Sequence, residues 1–268
     1  MSKINSFNSA AVNEYIVNWL KSYIEGSSIK GFVVGISGGV DSAVTSTLCA
    51  QTGYPTLCVE MPIHQSANQV QRGREHITQL KERYSNVQSV EADLTASYDL
   101  FKSQLPESIE DGLYQLTLAN TRARLRMTTL YYFAGIHRSL VAGTGNKVED
   151  FGVGFYTKYG DGGVDISPIA DLMKSEVYAL GSYLNIPKSI QQAAPTDGLF
   201  GDDRTDEDQL GASYDELEWA MIADEQGNAS SNFSGREKEV FDIYKRLNSN
   251  NQHKMNPIPV CKLPAELK

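Results

Sequence analysis

Apolar residues recur along this chain with two spacings, one typical of amphipathic helices and one typical of buried strands. Helical spacing predicts helices at residues 8–25, 41–51, 66–83, 96–104, 115–137, 172–184, 214–224 and 235–248. Short apolar runs predict strands at residues 31–36, 54–61, 87–90 and 139–143. Because strands and helices alternate in this way, the pattern indicates an α/β fold with a parallel sheet.

A loop of small residues joins the first predicted strand to the next helix, with the sequence Ser-Gly-Gly-Val-Asp-Ser at residues 37–42. Its two glycines can adopt positive φ and let backbone N–H groups approach a ligand, while the helix that begins near Asp41 directs its positive end at the same place. This arrangement predicts a phosphate site, to which Ser37 and Ser42 add hydroxyl donors. The carboxylate of Asp41 would repel phosphate unless a hard cation such as Mg²⁺ lay between them, so we expect a magnesium ion.

The loop lacks the Gly-Lys-Ser/Thr ending of a kinase or GTPase P-loop, so no lysine reaches the β- and γ-phosphates from this loop. This argues against ordinary γ-phosphoryl transfer. A bare Gly-rich turn of an α/β protein is the alternative interpretation of the same residues.

Two further strand ends carry candidate ligand residues. Met61 ends the second predicted strand, and a polar loop at residues 144–147 follows the fourth, with Glu149 shortly after it. Open α/β sheets bind ligands at the carboxyl ends of their strands, where neighbouring loops meet. Glu149 can therefore face Asp41 across one metal ion, although a glutamate after a strand is more often solvated.

A second candidate loop occupies residues 155–168, where three glycines and two aspartates lie between aromatic and apolar residues. This composition excludes a regular helix and is typical of a ligand loop, with a surface Ω-loop as the alternative. Lys158 can offer positive charge to an anionic substrate. Asp161 and Asp165 can bind ribose hydroxyls, a metal or the proton of a nucleophile.

Three later features also bear on function. Lys174 lies in the first turn of a predicted helix, where the helix dipole disfavours a cation, so a nearby anion would explain it. Residues 197–212 are rich in charge and poor in apolar side chains, which predicts a mobile lid. Residues 252–268 contain several prolines and are predicted to form an extended tail.

Length and composition narrow the class of protein. The 268 residues can form one large α/β domain, and we predict a single domain over residues 1–268. The formal charge of −9 disfavours nucleic-acid or anionic-membrane partners. No apolar run has the length of a membrane span or the pattern of a signal peptide, so we expect a cytoplasmic protein. Cys49 and Cys58 fall in predicted regular elements and are expected to be buried apolar groups.

The loops at residues 37–42 and 156–165 together resemble those of the ammonia-dependent NAD synthetases, a family of the N-type ATP pyrophosphatase superfamily. The resemblance extends over residues 8–254. The string Thr-Lys-Tyr-Gly-Asp-Gly-Gly at residues 157–163 is highly specific to that family, whereas the first loop is shared by all N-type ATP pyrophosphatases. The resemblance implies a Rossmann-like, adenine nucleotide alpha hydrolase-like parallel sheet with helices on both faces.

The resemblance also implies a reaction. In this family the carboxylate of nicotinate adenine dinucleotide (deamido-NAD) attacks the α-phosphate of ATP, pyrophosphate leaves, and ammonia displaces AMP from the acyl-adenylate to give NAD in the last step of NAD biosynthesis. Metal and cations neutralise the charge that develops when two anions are joined. Mg²⁺, ATP as co-substrate and a homodimer are implied with it, without a nucleic-acid or membrane partner.

The resemblance also implies roles for the residues of this sequence that match the family's motifs. Contacts with ATP are implied for Gly35, Ile36, Ser37, Gly38, Gly39, Val40, Asp41, Ser42, Met61, Thr144, Lys174 and Thr196. Contacts with deamido-NAD are implied for Arg124, Lys158, Asp165, His253 and Lys254, the first two from the partner subunit. The implied magnesium ligands are Asp41 and Glu149. The implied catalytic residues are Ser37, Lys174 and Asp161, the last handling the ammonium proton or a second magnesium.

One departure from the family pattern affects the site. The segment at residues 149–155 is one residue longer than the spacing typical of the bacterial members, which leaves the pose of Glu149 relative to Lys158 open. The first predicted helix begins almost at once, so we expect no amidase domain before it. Free ammonia, or ammonia from a separate protein, is the expected nitrogen source.

Several functions remain as alternatives. The same chemistry on nicotinate mononucleotide is the nearest, because both substrates present the same pyridine carboxylate. Another N-type pyrophosphatase, such as a GMP synthetase or a tRNA-modifying enzyme, is disfavoured by the loop at residues 159–163, the scattered cysteines and the negative charge. A regulator that holds ATP without turning it over is a different class again.

Overall fold

The computed structural model describes residues 7–107, 111–196 and 205–268. The strands are β1 (Gly31–Gly35), β2 (Thr56–Glu60), β3 (Val87–Glu91) and β4 (Ser139–Val141). The helices are α1 (Ser9–Ile24), α2 (Val40–Gln51), α3 (Ala67–Arg83), α4 (Thr95–Ser103), α5 (Asp111–His137), α6 (Lys174–Tyr183), α7 (Lys188–Gln191), α8 (Asp206–Leu210), α9 (Tyr214–Glu225) and α10 (Gly235–Met255). A π-helical turn covers Val148–Val153.

The four strands form a parallel sheet in the order β3-β2-β1-β4. Val33 of β1 lies opposite Leu57 of β2 on one side, and Phe32 lies opposite Leu140 of β4 on the other. The strand order therefore changes direction at β1. A crevice at such a switch point, beyond the carboxyl ends of the strands, is where open α/β sheets bind ligands.

Helices cover both faces of the sheet. Side chains alternate along a strand, so Phe32 and Val34 pack with α1, α2 and α6 on one face. Val33 and Val59 pack with Ala134 of α5 on the other face. Strands buried on both sides explain the continuous apolar runs of the sequence. The predicted α/β fold with a parallel sheet is confirmed, while the single domain over residues 1–268 stays a prediction.

A separate apolar cluster supports the chain after β4. Val148 and Val153 of the π-helical turn pack with Leu217 of α9 and Phe241 of α10. This packing attaches the segment that carries Glu149 to helices that lie much later in the sequence.

The predicted lid at residues 197–212 is described only in part, because residues 197–204 lie outside the described residues. Its remainder contains α8, which begins with a capping box formed by Thr205 and Asp208. Asp206 in this helix is buried. This part of the predicted lid is therefore helical. The capping box stabilises the helix, although the high charge of the segment predicted no regular element. The mobility of the lid stays a prediction.

The predicted extended tail at residues 252–268 is wrong at its start. Helix α10 continues to Met255, so His253 and Lys254 lie in its last turn. The helix ends there because Pro257 disfavours a helical conformation for the residue before it. Cys49 and Cys58 are buried, as expected. Within the described segments, no helix combines the length and the apolar character that crossing a membrane requires.

Candidate active site

The loop between β1 and α2 has the predicted positive φ at one of its two glycines, Gly38, whereas Gly39 has a φ of −97°. Gly38 has a φ of 82°, and a Cβ atom on it would lie 2.5 Å from the carbonyl oxygen of Gln69 in α3. Both the backbone conformation and the space therefore require glycine. The Ser37 hydroxyl accepts a hydrogen bond from the N–H of Gly39 at 3.2 Å and lies 3.1 Å from the Ser42 hydroxyl. The result is a compact turn at the positive end of α2, suited to an anion.

A cavity of about 250 Å³ opens beside this loop. Its walls include every residue predicted to contact ATP, namely Gly35, Ile36, Ser37, Gly38, Gly39, Val40, Asp41, Ser42, Met61, Thr144, Lys174 and Thr196. Glu149 and Asp161 line the same cavity. The structure thus brings the predicted nucleotide, metal and catalytic residues into one place. Their individual roles stay predictions.

Lys174, the first residue of α6, is almost completely buried between two carboxylates. Its Nζ lies 2.7 Å from Asp41 Oδ2 and 3.0 Å from Glu149 Oε1. Burial lowers the pKa of Lys174, but the charges of Asp41 and Glu149 and their hydrogen bonds outweigh burial, so this pKa lies above its ordinary value. The anion that the position of Lys174 called for is supplied, in this structure, by the protein itself.

Two side chains that sequence reasoning missed hold these carboxylates. Asn146 is buried and donates to Asp41 Oδ1 at 3.0 Å, and its Oδ1 accepts from the N–H of Glu149 at 3.2 Å. The Tyr214 hydroxyl donates to Glu149 Oε1 at 2.6 Å. Asn146 could have been found, because it follows β4 in the polar loop. Tyr214 carries no local signal, since α9 brings it there from a distant part of the sequence.

The donor set suits Mg²⁺. Asp41 and Glu149 each direct one carboxylate oxygen at a single cation, here the Lys174 ammonium group. Mg²⁺ is usually bound by one or two carboxylates together with substrate phosphates and water. Within residues 7–107, 111–196 and 205–268, no group of three or more His, Cys, Asp or Glu side chains could hold a metal. A magnesium ion held by two carboxylates would need further oxygen ligands from phosphate or water.

The second loop is folded on its own side chains. Asp161 Oδ1 accepts from the N–H of Thr157 at 2.9 Å, and the Thr157 hydroxyl donates to Asn120 of α5 at 2.6 Å. Burial raises the pKa of Asp161 to about 6, against the N–H donors of Thr157 and of Asp161 itself, and the charge of Glu149 adds to the rise. A carboxylate with a pKa raised in this way can accept a proton at nearly neutral pH.

The π-helical turn Val148–Val153 overlaps the segment at residues 149–155, which the sequence predicts to be one residue longer than the family spacing. A π-helix holds more residues in each turn than an α-helix, so a turn of this kind can accommodate an extra residue while Glu149 contacts the same lysine as Asp41. Asp150 in this turn also lines the cavity. Burial, with the charges of Glu149, Asp161 and Asp41, raises the pKa of Asp150 to about 8.

The residues predicted to bind deamido-NAD lie outside the walls of this cavity. Three of them meet beside the second loop, where Lys158 Nζ donates to the His253 carbonyl and Arg124 Nη2 donates to the Lys158 carbonyl at 3.3 Å. Lys254 Nζ donates to the carbonyl of Tyr156 at 2.7 Å. The side chains of Arg124, Lys158 and Lys254 thus form a cationic cluster beside the second loop, which His253 joins through its backbone carbonyl.

Asp165 is held differently from the other predicted substrate residues. Its Oδ1 accepts from the Tyr131 hydroxyl at 3.0 Å, and its Oδ2 accepts from the N–H of Val141 at 2.8 Å. Both oxygens thus join the second loop to α5 and β4. This contact fixes the loop, and substrate binding by Asp165 stays a prediction.

The site combines a glycine loop at a helix N-terminus with two carboxylates that hold one cation, at the switch point of a parallel sheet. These features are those of the nucleotide-binding α/β proteins. A sequence model of the NAD synthase family matches residues 12–258. The chain is 37% identical over 243 residues to the NH(3)-dependent NAD(+) synthetase of Carboxydothermus hydrogenoformans, covering 90% of this chain and 93% of that protein. The chain therefore belongs to the NAD synthase family.

Solved structures of two related proteins are similar to this chain. The NMN synthetase of Francisella tularensis has a TM-score of 0.82 and 30% identity, covering 97% of this chain and 100% of that one. The NH3-dependent NAD synthetase of Campylobacter jejuni has a TM-score of 0.76 at 24% identity, covering 95% of this chain and 100% of that one. The second of these shows a shared fold.

Proposed function

We propose that this protein catalyses the ATP-dependent amidation of deamido-NAD to NAD with ammonia, through an acyl-adenylate, releasing AMP and pyrophosphate. The observation that carries the proposal is that the loop at residues 37–42 and Asp161 line one cavity. A site for the phosphates of ATP and a proton acceptor for ammonium thus share one compartment. The NH(3)-dependent NAD(+) synthetases that this chain resembles at 37% identity support the same reaction.

The reaction has two steps. A carboxylate oxygen of the substrate bonds to the α-phosphorus of ATP, while the bond from that phosphorus to the bridging oxygen breaks and pyrophosphate leaves. The nitrogen of ammonia then bonds to the carbonyl carbon, and AMP leaves with the former carboxylate oxygen. Ser37 and Ser42 offer hydroxyl donors to the phosphates, and Lys174 offers a cation. Asp161 accepts a proton from ammonium, which has no lone pair for attack.

Asp41 and Glu149 would hold Mg²⁺, which supplies neutralising charge to the phosphates when it is bound. Both carboxylates already surround one cationic group, Lys174, which supports this assignment. Asn146 and Tyr214 orient them, as partners of metal ligands commonly do.

We propose that the pyridine substrate binds at the cationic cluster of Arg124, Lys158 and Lys254, with His253 and Asp165 as further contacts. We also propose a homodimer, in which Arg124 and Lys158 serve the partner's site. Helix α5, which carries Arg124, exposes large apolar side chains of the kind that mark subunit contacts, namely Leu113, Leu116, Tyr132 and Ile136. A reaction that consumes ATP favours a cytoplasmic location.

Incubation with ATP, Mg²⁺, ammonium and deamido-NAD tests the proposed activity. NAD, AMP and pyrophosphate are expected in equal amounts, and their formation must depend on deamido-NAD. D41N is expected to lose the reaction, while D171N, whose side chain is 99% exposed, keeps it. Binding of ATP without products would instead indicate a regulator.

Nicotinate mononucleotide is the second candidate substrate. The observation in its favour is the similarity to the NMN synthetase of Francisella tularensis, at 30% identity and a TM-score of 0.82. Measuring kcat/KM for both substrates on the same preparation separates them. A higher value for nicotinate mononucleotide would overturn our choice of deamido-NAD.

A further inference from the structure

Helix α3 packs closely against the glycine loop between β1 and α2. The carbonyl oxygen of Gln69 occupies the space beside Gly38, and a Cβ atom on Gly73 would lie 3.9 Å from the Gly38 nitrogen. Arg72 lies between these two residues of α3 in the sequence. Its Nε donates to the Gly38 carbonyl at 3.3 Å, and its side chain lines the cavity. One face of α3 therefore carries a guanidinium group to the predicted phosphate site.

The cavity contains little positive charge that is free to meet a ligand. Among its described walls, the cationic side chains are Arg72, Arg126 and Lys174. Lys174 is paired with Asp41 and Glu149, and Arg126 donates to the carbonyl of Met61 and to the side chain of Gln65.

Arg72 differs from both of these cations. In the part of the chain that the structure describes, the one hydrogen bond of Arg72 runs from Nε to the Gly38 carbonyl. Its two terminal nitrogens have no acceptor there, and no described carboxylate lies within ion-pair distance of them. Arg74, two residues further along α3, instead pairs with Glu91 at 2.7 Å on the protein surface. Among the described cavity residues, the guanidinium of Arg72 thus keeps its terminal nitrogens available to a ligand.

The proposed reaction needs such a charge at this place. The loop at residues 37–42 has no lysine of its own, while the leaving pyrophosphate gathers negative charge as its bond to the α-phosphorus breaks. A guanidinium group binds two phosphate oxygens at once through its parallel N–H donors. We propose that Arg72 is a catalytic residue that binds the β- and γ-phosphates of ATP and then the leaving pyrophosphate. This inference rests on the proposed function for its role in turnover.

Direct binding tests the assignment without requiring turnover. Isothermal titration of inorganic pyrophosphate with Mg²⁺ is expected to give a dissociation constant about tenfold or more higher for R72Q than for the unaltered protein, because charge-assisted hydrogen bonds are lost. AMP lacks the β- and γ-phosphates, so its affinity is expected to stay unchanged. R74Q is the matched control and is expected to bind both ligands normally.

Two results would overturn the proposal. One is a pyrophosphate affinity for R72Q equal to that of the unaltered protein. The other is an equal loss in R74Q, which would point to the overall charge of α3. If R72Q does not fold, R72K is used in its place, because lysine keeps the positive charge but lacks the parallel N–H donors of the guanidinium group. R72K should bind pyrophosphate several-fold more weakly than the unaltered protein and AMP normally.

Turnover then tests the link to the reaction. In the exchange of labelled pyrophosphate into ATP, R72Q is expected to raise the KM of pyrophosphate while the KM of deamido-NAD stays the same. If no NAD forms in any sample, the proposed function fails, and the binding comparison still decides the role of Arg72.

Discussion

Lys174 and Asp41 lie 133 residues apart in the chain and form a buried ion pair of 2.7 Å. Glu149 completes the arrangement at 3.0 Å from the same ammonium nitrogen. The two oxygens proposed to bind Mg²⁺ are therefore satisfied by a cation that the protein supplies. The proposed metal ion would share this place with Lys174 if nucleotide phosphates offered the lysine another anion.

Replacing Lys174 with methionine should make the protein dependent on divalent cations for stability. The change leaves two largely buried carboxylates without a cationic partner. We expect this to lower the free energy of unfolding by about 3 kcal/mol. Added Mg²⁺ without nucleotide should restore much of this loss in K174M and change the unaltered protein little. Thermal unfolding across a Mg²⁺ titration measures both effects.

Lys147→Met is the matched control for this experiment. Lys147 Nζ lies 3.7 Å from Oδ1 of the exposed Asp171 and 3.6 Å from Oε1 of Glu225. Exposed ion pairs of this kind contribute little to the free energy of unfolding. K147M should unfold near the temperature of the unaltered protein, with no gain from Mg²⁺. A rise in melting temperature with Mg²⁺ that is as large in the unaltered protein as in K174M would contradict the shared cation site.

Local patterns predicted the parts of the site that are continuous in the sequence. The loop at residues 37–42 could be predicted because the glycines, the serines and the helix start are consecutive. The meeting of Asp41 with Glu149 could be predicted from the adjacency of β1 and β4 alone. Lys174 was expected near an anion, but the anion proved to be this same pair of carboxylates.

The remaining contacts depend on how distant helices pack. Tyr214 reaches Glu149 across 65 residues of sequence because α9 packs on the π-helical turn. Arg72 reaches Gly38 because α3 lies against the loop. No spacing rule along the chain predicts either contact, since each is set by tertiary packing. The helical state of α8 was missed because a capping box stabilises a segment with few apolar residues.

Acid should destabilise the fold through His76. This side chain of α3 is completely buried, its Nε2 lies 2.8 Å from the Ser46 hydroxyl, and burial, with a smaller effect of Arg83, lowers its pKa to about 4. Between the ordinary value of about 6.5 and this value, the unfolded chain binds the proton and the folded chain does not. His76 therefore contributes stability above pH 6.5 that is lost as the pH falls toward 4, by about 3 kcal/mol in total.

Urea unfolding at pH 7 and pH 4.5 measures the effect of His76. Carboxylates also titrate in this range, so the informative quantity is the change for the unaltered protein minus that for H76Q. H64Q removes an exposed histidine and serves as the control, with the same loss as the unaltered protein. Equal losses in H76Q and the unaltered protein would remove His76 from this explanation.

Asp161→Asn should separate the two halves of the reaction. Adenylation needs no base for ammonium, so exchange of labelled pyrophosphate into ATP should continue, while amide formation falls by about a hundredfold or more. Because burial raises the pKa of Asp161 to about 6 and the base must be ionised, amidation should rise through pH 6 and then level off. D161N should lose this dependence. An equal fall in exchange and amidation would assign Asp161 to the phosphate chemistry instead.

Lys158→Ala should weaken the binding of the pyridine substrate more than the binding of ATP. Lys158 contacts the His253 carbonyl in the cationic cluster and lies outside the cavity that holds the predicted ATP residues. Removing one charge-assisted contact should raise the KM of deamido-NAD about tenfold, with less than a twofold change for ATP. Lys188, exposed at the start of α7, provides the control K188A, which should leave both constants unchanged. If the KM of ATP rises more than that of deamido-NAD, Lys158 serves the nucleotide, and the cluster would lose its assignment as the pyridine site.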